Sequence, residues 1–64
     1  MRMKTIGIIG GGQLGLMIAE QARLLGARTV CLDPAADAPA AAMCDDHIVG
    51  RFDDPAAVEE LCRR

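Results

Sequence analysis

The sequence predicts an α/β fold, a partial doubly wound parallel sheet with element order βαβ(α)βα. Three observations carry this reading. A β-branched run, Ile6, Ile8 and Ile9, runs directly into a glycine turn. An amphipathic run follows the turn, and a second β-branched run follows that, so strand, helix and strand fit within about thirty residues, the size of a βαβ unit. The apolar content is 52%, yet Phe52 is the one aromatic residue. A core of Ala, Val, Ile, Leu and Met suits helices packed on a parallel sheet better than a β-sandwich.

The first strand is expected over 4–9 and the first helix over 13–25. Leu14, Met17, Ile18, Gln21, Ala22 and Leu25 recur at the i, i+3/i+4, i+7 spacing and should face the sheet. Glu20 and Arg23 fall toward solvent, and Leu16 falls on their side. Gly26 follows the last apolar residue and fits a left-handed C′ position. The second strand should run over 28–32, centred on Thr29, Val30 and Cys31, with a right-handed crossover. Asp33-Pro34 ends it, because proline cannot donate to a ladder.

A loop over 35–38 leads to a short helix over 39–43, with Pro39 at its first position. A third strand is expected over 47–50. Asp53-Asp54-Pro55 then opens the last helix, an aspartate capping it and Pro55 fitting its first turn. Val58, Leu61 and Cys62 form its buried stripe, while Arg63 and Arg64 complement its C-terminal end. In the usual strand order of a doubly wound sheet a fourth strand covers the free side of the first. None is present in 64 residues, so the first strand should be an open apolar edge. The sequence therefore reads as one incomplete domain, residues 1–64, at the N-terminus of a longer protein.

Bulk composition narrows the function. The net charge is −2 with both signs dispersed, which favours neither nucleic acid nor an anionic membrane surface. Cys31, Cys44 and Cys62 are an odd set without a CxxC pair, so reduced thiols in a cytoplasmic protein are expected rather than a disulfide scaffold or a zinc knuckle. Arg2 and Lys4 precede fifteen uncharged residues in the manner of a secretory leader. Four glycines interrupt that segment and no clean cleavage site follows, so the leader reading fails. The segment is also too short and glycine-rich to span a membrane.

The chemistry concentrates in Gly10-Gly11-Gly12-Gln13-Leu14-Gly15. Gly10, Gly12 and Gly15 have the spacing of a dinucleotide-binding turn, between the strand and helix such a turn requires. Unpaired N–H groups and the positive end of the helix dipole would meet an anion there. The alternative is a tight turn that only packs strand against helix. Gln13 is the one polar side chain in the turn, either a ligand contact or a solvated helix start. Asp33 lies eighteen residues beyond Gly15. It suits either a ribose 2′-hydroxyl in a nicotinamide enzyme or a turn before Pro34. Cys44-Asp45-Asp46-His47 are adjacent, and adjacent strand side chains point to opposite faces, so they do not converge on a metal. Asp45, Asp46, Asp53 and Asp54 read as solvated loop and helix cap. No catalytic group and no metal ligand stands out.

The run from Ile6 to Met17, with its triglycine-Gln-Leu-Gly core, closely resembles the start of the N5-carboxyaminoimidazole ribonucleotide synthetases of the ATP-grasp superfamily. Val30-Cys31-Leu32-Asp33-Pro34, Pro39-Ala40-Ala41, Asp46-His47-Ile48-Val49 and Asp53-Asp54-Pro55 extend the resemblance over nearly the whole chain. It implies a Rossmann-like domain that binds no dinucleotide. It also implies an ATP-dependent ligase of purine biosynthesis that carboxylates 5-aminoimidazole ribonucleotide with bicarbonate through carboxyphosphate, releasing ADP and phosphate.

Gly11, Gly12, Gln13 and Leu14 are then substrate-binding, and Asp33 reverts to a turn residue. ATP, magnesium and the ATP-grasp domains are expected beyond residue 64, in a cytoplasmic homodimer, and the fragment alone should be inactive. The family's usual arginine is replaced here by Leu16. An NAD(P)- or FAD-dependent oxidoreductase using Asp33, and a non-enzymatic nucleotide-sensing module, are the alternative readings.

Overall fold

A computed structural model describes residues 4–64; Arg2 of the leader reading lies outside the described residues. The chain folds as β1 (Thr5–Ile9), α1 (Gln13–Leu24), β2 (Arg28–Asp33), a 3₁₀ turn (Pro39–Ala42), β3 (Asp46–Val49) and α2 (Pro55–Arg63). The sheet is parallel in the order β1-β2-β3. Ile8, Cys31 and His47 are in register on one face, and Ile9, Leu32 and Ile48 on the other. Each face carries its own apolar cluster. Ile8, Ala19, Cys31 and Ala40 meet under α1, while Val30, Leu32, Ala57 and Leu61 meet under α2. β2 is central and buries Val30, Cys31 and Leu32 completely, which explains its unbroken β-branched and apolar character.

The expected order of elements holds, with end residues shifted by one or two positions. The short helix is a 3₁₀ turn rather than an α-helix. Gly26 takes φ +79 just beyond α1, and the Asp54 carboxylate caps α2 by accepting the Ala56 N–H at 3.0 Å. At the other end of α2, Arg63 pairs with Glu59 and Arg64 with Glu60 one turn back, and Arg64 also reaches Asp46.

Two helix faces differ from expectation. On α1 the residues against the sheet are Gly15, Ala19 and Ala22. Leu14, Met17, Ile18 and Leu25, expected to be buried, are 71%, 55%, 44% and 83% exposed. Leu16, expected on the solvent side, is half-buried against Ile8, Ala19, Cys31 and Ala40, beside Met43 and Cys44. The physical reason is the closeness of the helix to β1. A Cβ on Gly15 would lie 2.2 Å from the Gly10 carbonyl oxygen, so α1 turns its smallest residues inward and swings its larger ones over the open side of β1. On α2, Ala57 replaces Cys62 in the buried stripe, and Cys62 is exposed.

β1 pairs with β2 on one side only among the described residues. Ile6 on this edge and Leu14, Met17, Ile18 and Leu25 on α1 line an apolar groove of about 370 Å³. An unpaired strand edge beside such a groove templates association. The isolated 64-residue chain is therefore expected to self-associate, checked by sedimentation velocity across concentration; a clean monomer with cooperative urea unfolding would count against this. Gly15→Ala should destabilise the fold by on the order of 3 kcal/mol, because a backbone oxygen cannot move aside as a side chain can. Gly12→Ala, with nothing within 4 Å of the added Cβ, should cost only about 1 kcal/mol, the preference of an N-cap for glycine over alanine. Urea midpoints of the two variants test the contrast, and equal midpoints would refute it.

Candidate functional site

The glycine turn is built from both sides. Gly10 has φ +102, a conformation L side chains rarely adopt, and its N–H donates to Leu32 O at 2.8 Å. Gly11 is buried. Its N–H donates to Asp33 Oδ2 at 2.7 Å, and its carbonyl accepts the Ala40 N–H at 2.8 Å. A Cβ on Gly11 would lie 2.8 Å from the Ala38 Cβ, so the segment before the 3₁₀ turn seats directly on this residue.

Gly12 is the N-cap of α1, with extended backbone and no capping side chain. The first helical hydrogen bond runs from the Leu16 N–H to Gly12 O at 2.9 Å. The N–H groups of Gly12, Gln13, Leu14 and Gly15 thus precede the helical ladder and have no acceptor among the described residues. Gln13 and Leu14 are exposed, and the first turn of α1 contains no acidic residue. A cleft of about 270 Å³ opens over this end, lined by Ile9, Gly10, Gly12, Gln13, Leu14 and Ile18. Free N–H groups on Gly12, Gln13 and Leu14, a helix dipole and an apolar wall suit an anionic group attached to a planar or aliphatic body. Of the four residues expected to bind substrate, Gly12, Gln13 and Leu14 line this cleft, and Gly11 forms the layer beneath it.

Asp33 stands at the C-terminal end of β2, where it serves the loops around it. Its Oδ1 accepts the Ala35 N–H at 2.8 Å and its Oδ2 accepts the Gly11 N–H. These two N–H groups, Ala35 first, hold its carboxyl below the usual carboxylate range, with a smaller contribution from His47. Each oxygen thus accepts a backbone N–H, as a turn aspartate does.

The Cys44–His47 stretch is only partly the solvated loop expected. Asp45 Oδ2 accepts the Thr29 N–H at 2.7 Å, and the Asp45 N–H donates to Thr29 O at 3.0 Å, so Asp45 fastens this loop to the start of β2. Asp46 forms ion pairs with Arg28 and Arg64. Among the described residues no group of three or more His, Cys, Asp or Glu side chains could hold a metal ion. Sequence reasoning missed the Ala40 N–H to Gly11 contact and the Asp45 clamp. Pro39 marked the turn, but nothing in its neighbourhood named the partner.

Asp33 sets a pH dependence. Its folded-state carboxyl is depressed, so its bonds to the turn are complete above the ordinary aspartate range, about 3.9. They are lost only as pH falls through the lower folded value. The Gly11 amide resonance should hold its hydrogen-bonded shift through pH 4 and move below it. A Gly11 shift that titrates with the ordinary aspartates would contradict this.

Residues 3–64 match the family model of the ribonucleotide synthetase preATP-grasp domain. Among curated relatives, an N5-carboxyaminoimidazole ribonucleotide synthase of Brucella melitensis is 53% identical over 57 residues, 89% of this chain and 16% of that protein. The enzyme of the same name from Staphylococcus haemolyticus is 47% identical over 57 residues, 89% of this chain and 15% of its own length. Among solved structures, the Staphylococcus aureus N5-carboxyaminoimidazole synthetase complexed with ADP superposes with TM-score 0.93 at 41% identity, covering 98% of this chain and 17% of that one. The Thermotoga maritima synthetase gives 0.92 at 44% identity, over 95% and 17%. The chain thus spans about a sixth of the length of the relatives it matches. With its parallel Rossmann-like sheet, its glycine turn and this match over nearly its full length, the chain belongs to the ribonucleotide synthetase preATP-grasp domain family.

Proposed function

We propose that this chain is the substrate-side domain of an ATP-dependent carbon–nitrogen ligase that carboxylates 5-aminoimidazole ribonucleotide with bicarbonate, releasing ADP and phosphate in purine biosynthesis. The observation that carries the reading is the row of unengaged N–H groups on Gly12, Gln13 and Leu14, open to a cleft at the start of α1. Family membership and the names of the relatives support it.

In this reading the phosphate of the ribonucleotide meets the helix N-terminus, where backbone donors bind an anion without a lysine or arginine. The Gln13 amide, exposed at the mouth of the cleft, hydrogen-bonds the polar part of the substrate. Gly11 keeps the turn closed from below through Asp33 and Ala40. Leu16 stands where the family usually has arginine and contributes apolar packing instead. ATP supplies the phosphoryl group that activates bicarbonate. ATP and magnesium are assigned, as the resemblance implies, to ATP-grasp domains outside residues 1–64. The full-length enzyme is taken, as the resemblance implies, to be a cytoplasmic homodimer. The engagement of both Asp33 oxygens by backbone disfavours the dinucleotide oxidoreductase alternative.

In the full-length protein, ADP release should require both aminoimidazole ribonucleotide and bicarbonate. Gly12→Ala should raise KM for the ribonucleotide about tenfold or more, a loss of about 1.4 kcal/mol of binding, with KM for ATP unchanged. A coupled ADP assay reads both constants. ADP release indifferent to the ribonucleotide, or tight NADH binding that Asp33→Ala abolishes, would overturn the proposal.

A further inference from the structure

The α1 face of the sheet holds a second group of reactive side chains that the proposed ligase site does not use. Cys31 is fully buried at the centre of β2. Cys44 is half-buried and packs on the cluster that contains Cys31, with its thiol a neighbour of the Cys31 thiol. The Asp45 clamp on Thr29 holds this arrangement, since it fixes the residue after Cys44 to the residue two before Cys31. His47 is in register with Cys31 on the neighbouring strand, so both side chains project from the same face. Its Nε2 is buried and has no hydrogen-bond partner among the described residues. Two neighbouring thiols therefore lie beneath the 3₁₀ turn, and an unpaired imidazole nitrogen belongs to the same face of the sheet.

We infer that Cys31 and Cys44 form a reversible oxidation site, in which a hydroperoxide converts the two thiols into a disulfide that ties β2 to the segment entering β3. Cys31 is fully buried and Cys44 half-buried, so Cys44 meets the hydroperoxide first; burial, and then the neighbouring Cys44 thiol, also push the Cys31 thiol up to about 12. The Cys44 sulfur attacks the peroxide, its S–O bond forms as the O–O bond breaks, and the alcohol leaves with the thiol proton. The Cys31 sulfur then attacks the Cys44 sulfenic acid. The S–S bond forms, the S–O bond breaks, and the hydroxyl departs as water with the Cys31 proton. Two thiols lose two protons and two electrons, and the hydroperoxide is reduced to alcohol and water. The segment so tied includes Ala40, whose carbonyl accepts the Cys44 N–H at 3.0 Å and whose N–H holds Gly11. Oxidation thereby reaches the layer beneath the glycine turn.

The chain carries its own assay. No lysine or arginine lies between Thr29 and Arg51, so one tryptic peptide, 29–51, contains both cysteines. The native full-length protein, treated with hydrogen peroxide and alkylated after unfolding, should yield this peptide lighter by two hydrogens and unalkylated. Dithiothreitol should restore two alkylation sites. Cleavage at Asp33 and Asp37 should leave two fragments joined until reduced. Cys31→Ala should stop Cys44 at a sulfenic acid that dimedone traps, and Cys44→Ser should leave Cys31 fully alkylatable after peroxide. The inference is overturned if wild-type Cys44 passes to sulfinic acid while Cys31 remains alkylatable. It is equally overturned if only Cys62, the exposed thiol, is oxidised. None of these readouts depends on ligase activity.

Discussion

Helix α1 can lie where it does only because residue 15 has no side chain. With the hypothetical Cβ 2.2 Å from the Gly10 carbonyl oxygen, any larger residue would lift the helix from β1. Much else follows from this one contact. It sets the rotation of α1, so that Ala19 and Ala22 reach the sheet and Leu16 turns toward the 3₁₀ turn. It also brings the first N–H groups of the helix up to the carboxyl end of β1, where they face the cleft over Gly10 and Gly12. Packing and site geometry are thus consequences of the same missing methyl group, and the positive φ of Gly10 supplies the reversal that makes the contact reachable.

Two carboxylates complete the framework, and both accept backbone N–H groups. Asp33 joins the end of β2 to Gly11 and Ala35, and Asp45 joins the start of β2 to the segment entering β3. Each satisfies backbone N–H groups that the parallel ladder leaves unpaired at its ends, and an unpaired donor beside a buried core is costly. In so small a domain such fastenings matter more than in a large one, since the core itself consists of two clusters of four residues. Asp33 shows how one residue type at one position can serve two families of sites. In both the acid stands at the end of the second strand, and its hydrogen-bond partners distinguish a ribose ligand from a turn.

The α2 face is simpler. Val30, Leu32, Ala57 and Leu61 pack as a small helix–sheet core, and Gly50 lets α2 come close, since a Cβ there would lie 2.8 Å from the Ala57 Cβ. The α1 face has more to accommodate: a helix, a 3₁₀ turn, two thiols and an imidazole. It is also the face whose helix overhangs the open edge of β1. The apolar side chains of Leu14, Met17, Ile18 and Leu25 form a wider stripe than the three strands cover.

The sequence by itself determined the order and type of nearly every element, because each rests on local physics. A β-branched run makes a strand, Gly26 stops a helix, and Asp54-Pro55 starts one. It determined the location of the glycine turn for the same reason, since a strand, a turn and a helix in that order leave backbone N–H groups free wherever they occur. The resemblance in Ile6 to Met17 and in the Asp-Pro turn identified the family. Only the tertiary structure decided which side of α1 meets the sheet. Periodicity locates an apolar stripe but cannot show that Gly15 draws the helix in along an edge of that stripe, leaving Leu14 and Met17 outside and Leu16 inside. Tertiary structure also decided the partners of Asp33, Asp45 and Ala40 and the meeting of Cys31 with Cys44. Those contacts join residues far apart in the chain, and no local pattern encodes a distance that depends on how two loops settle on one sheet.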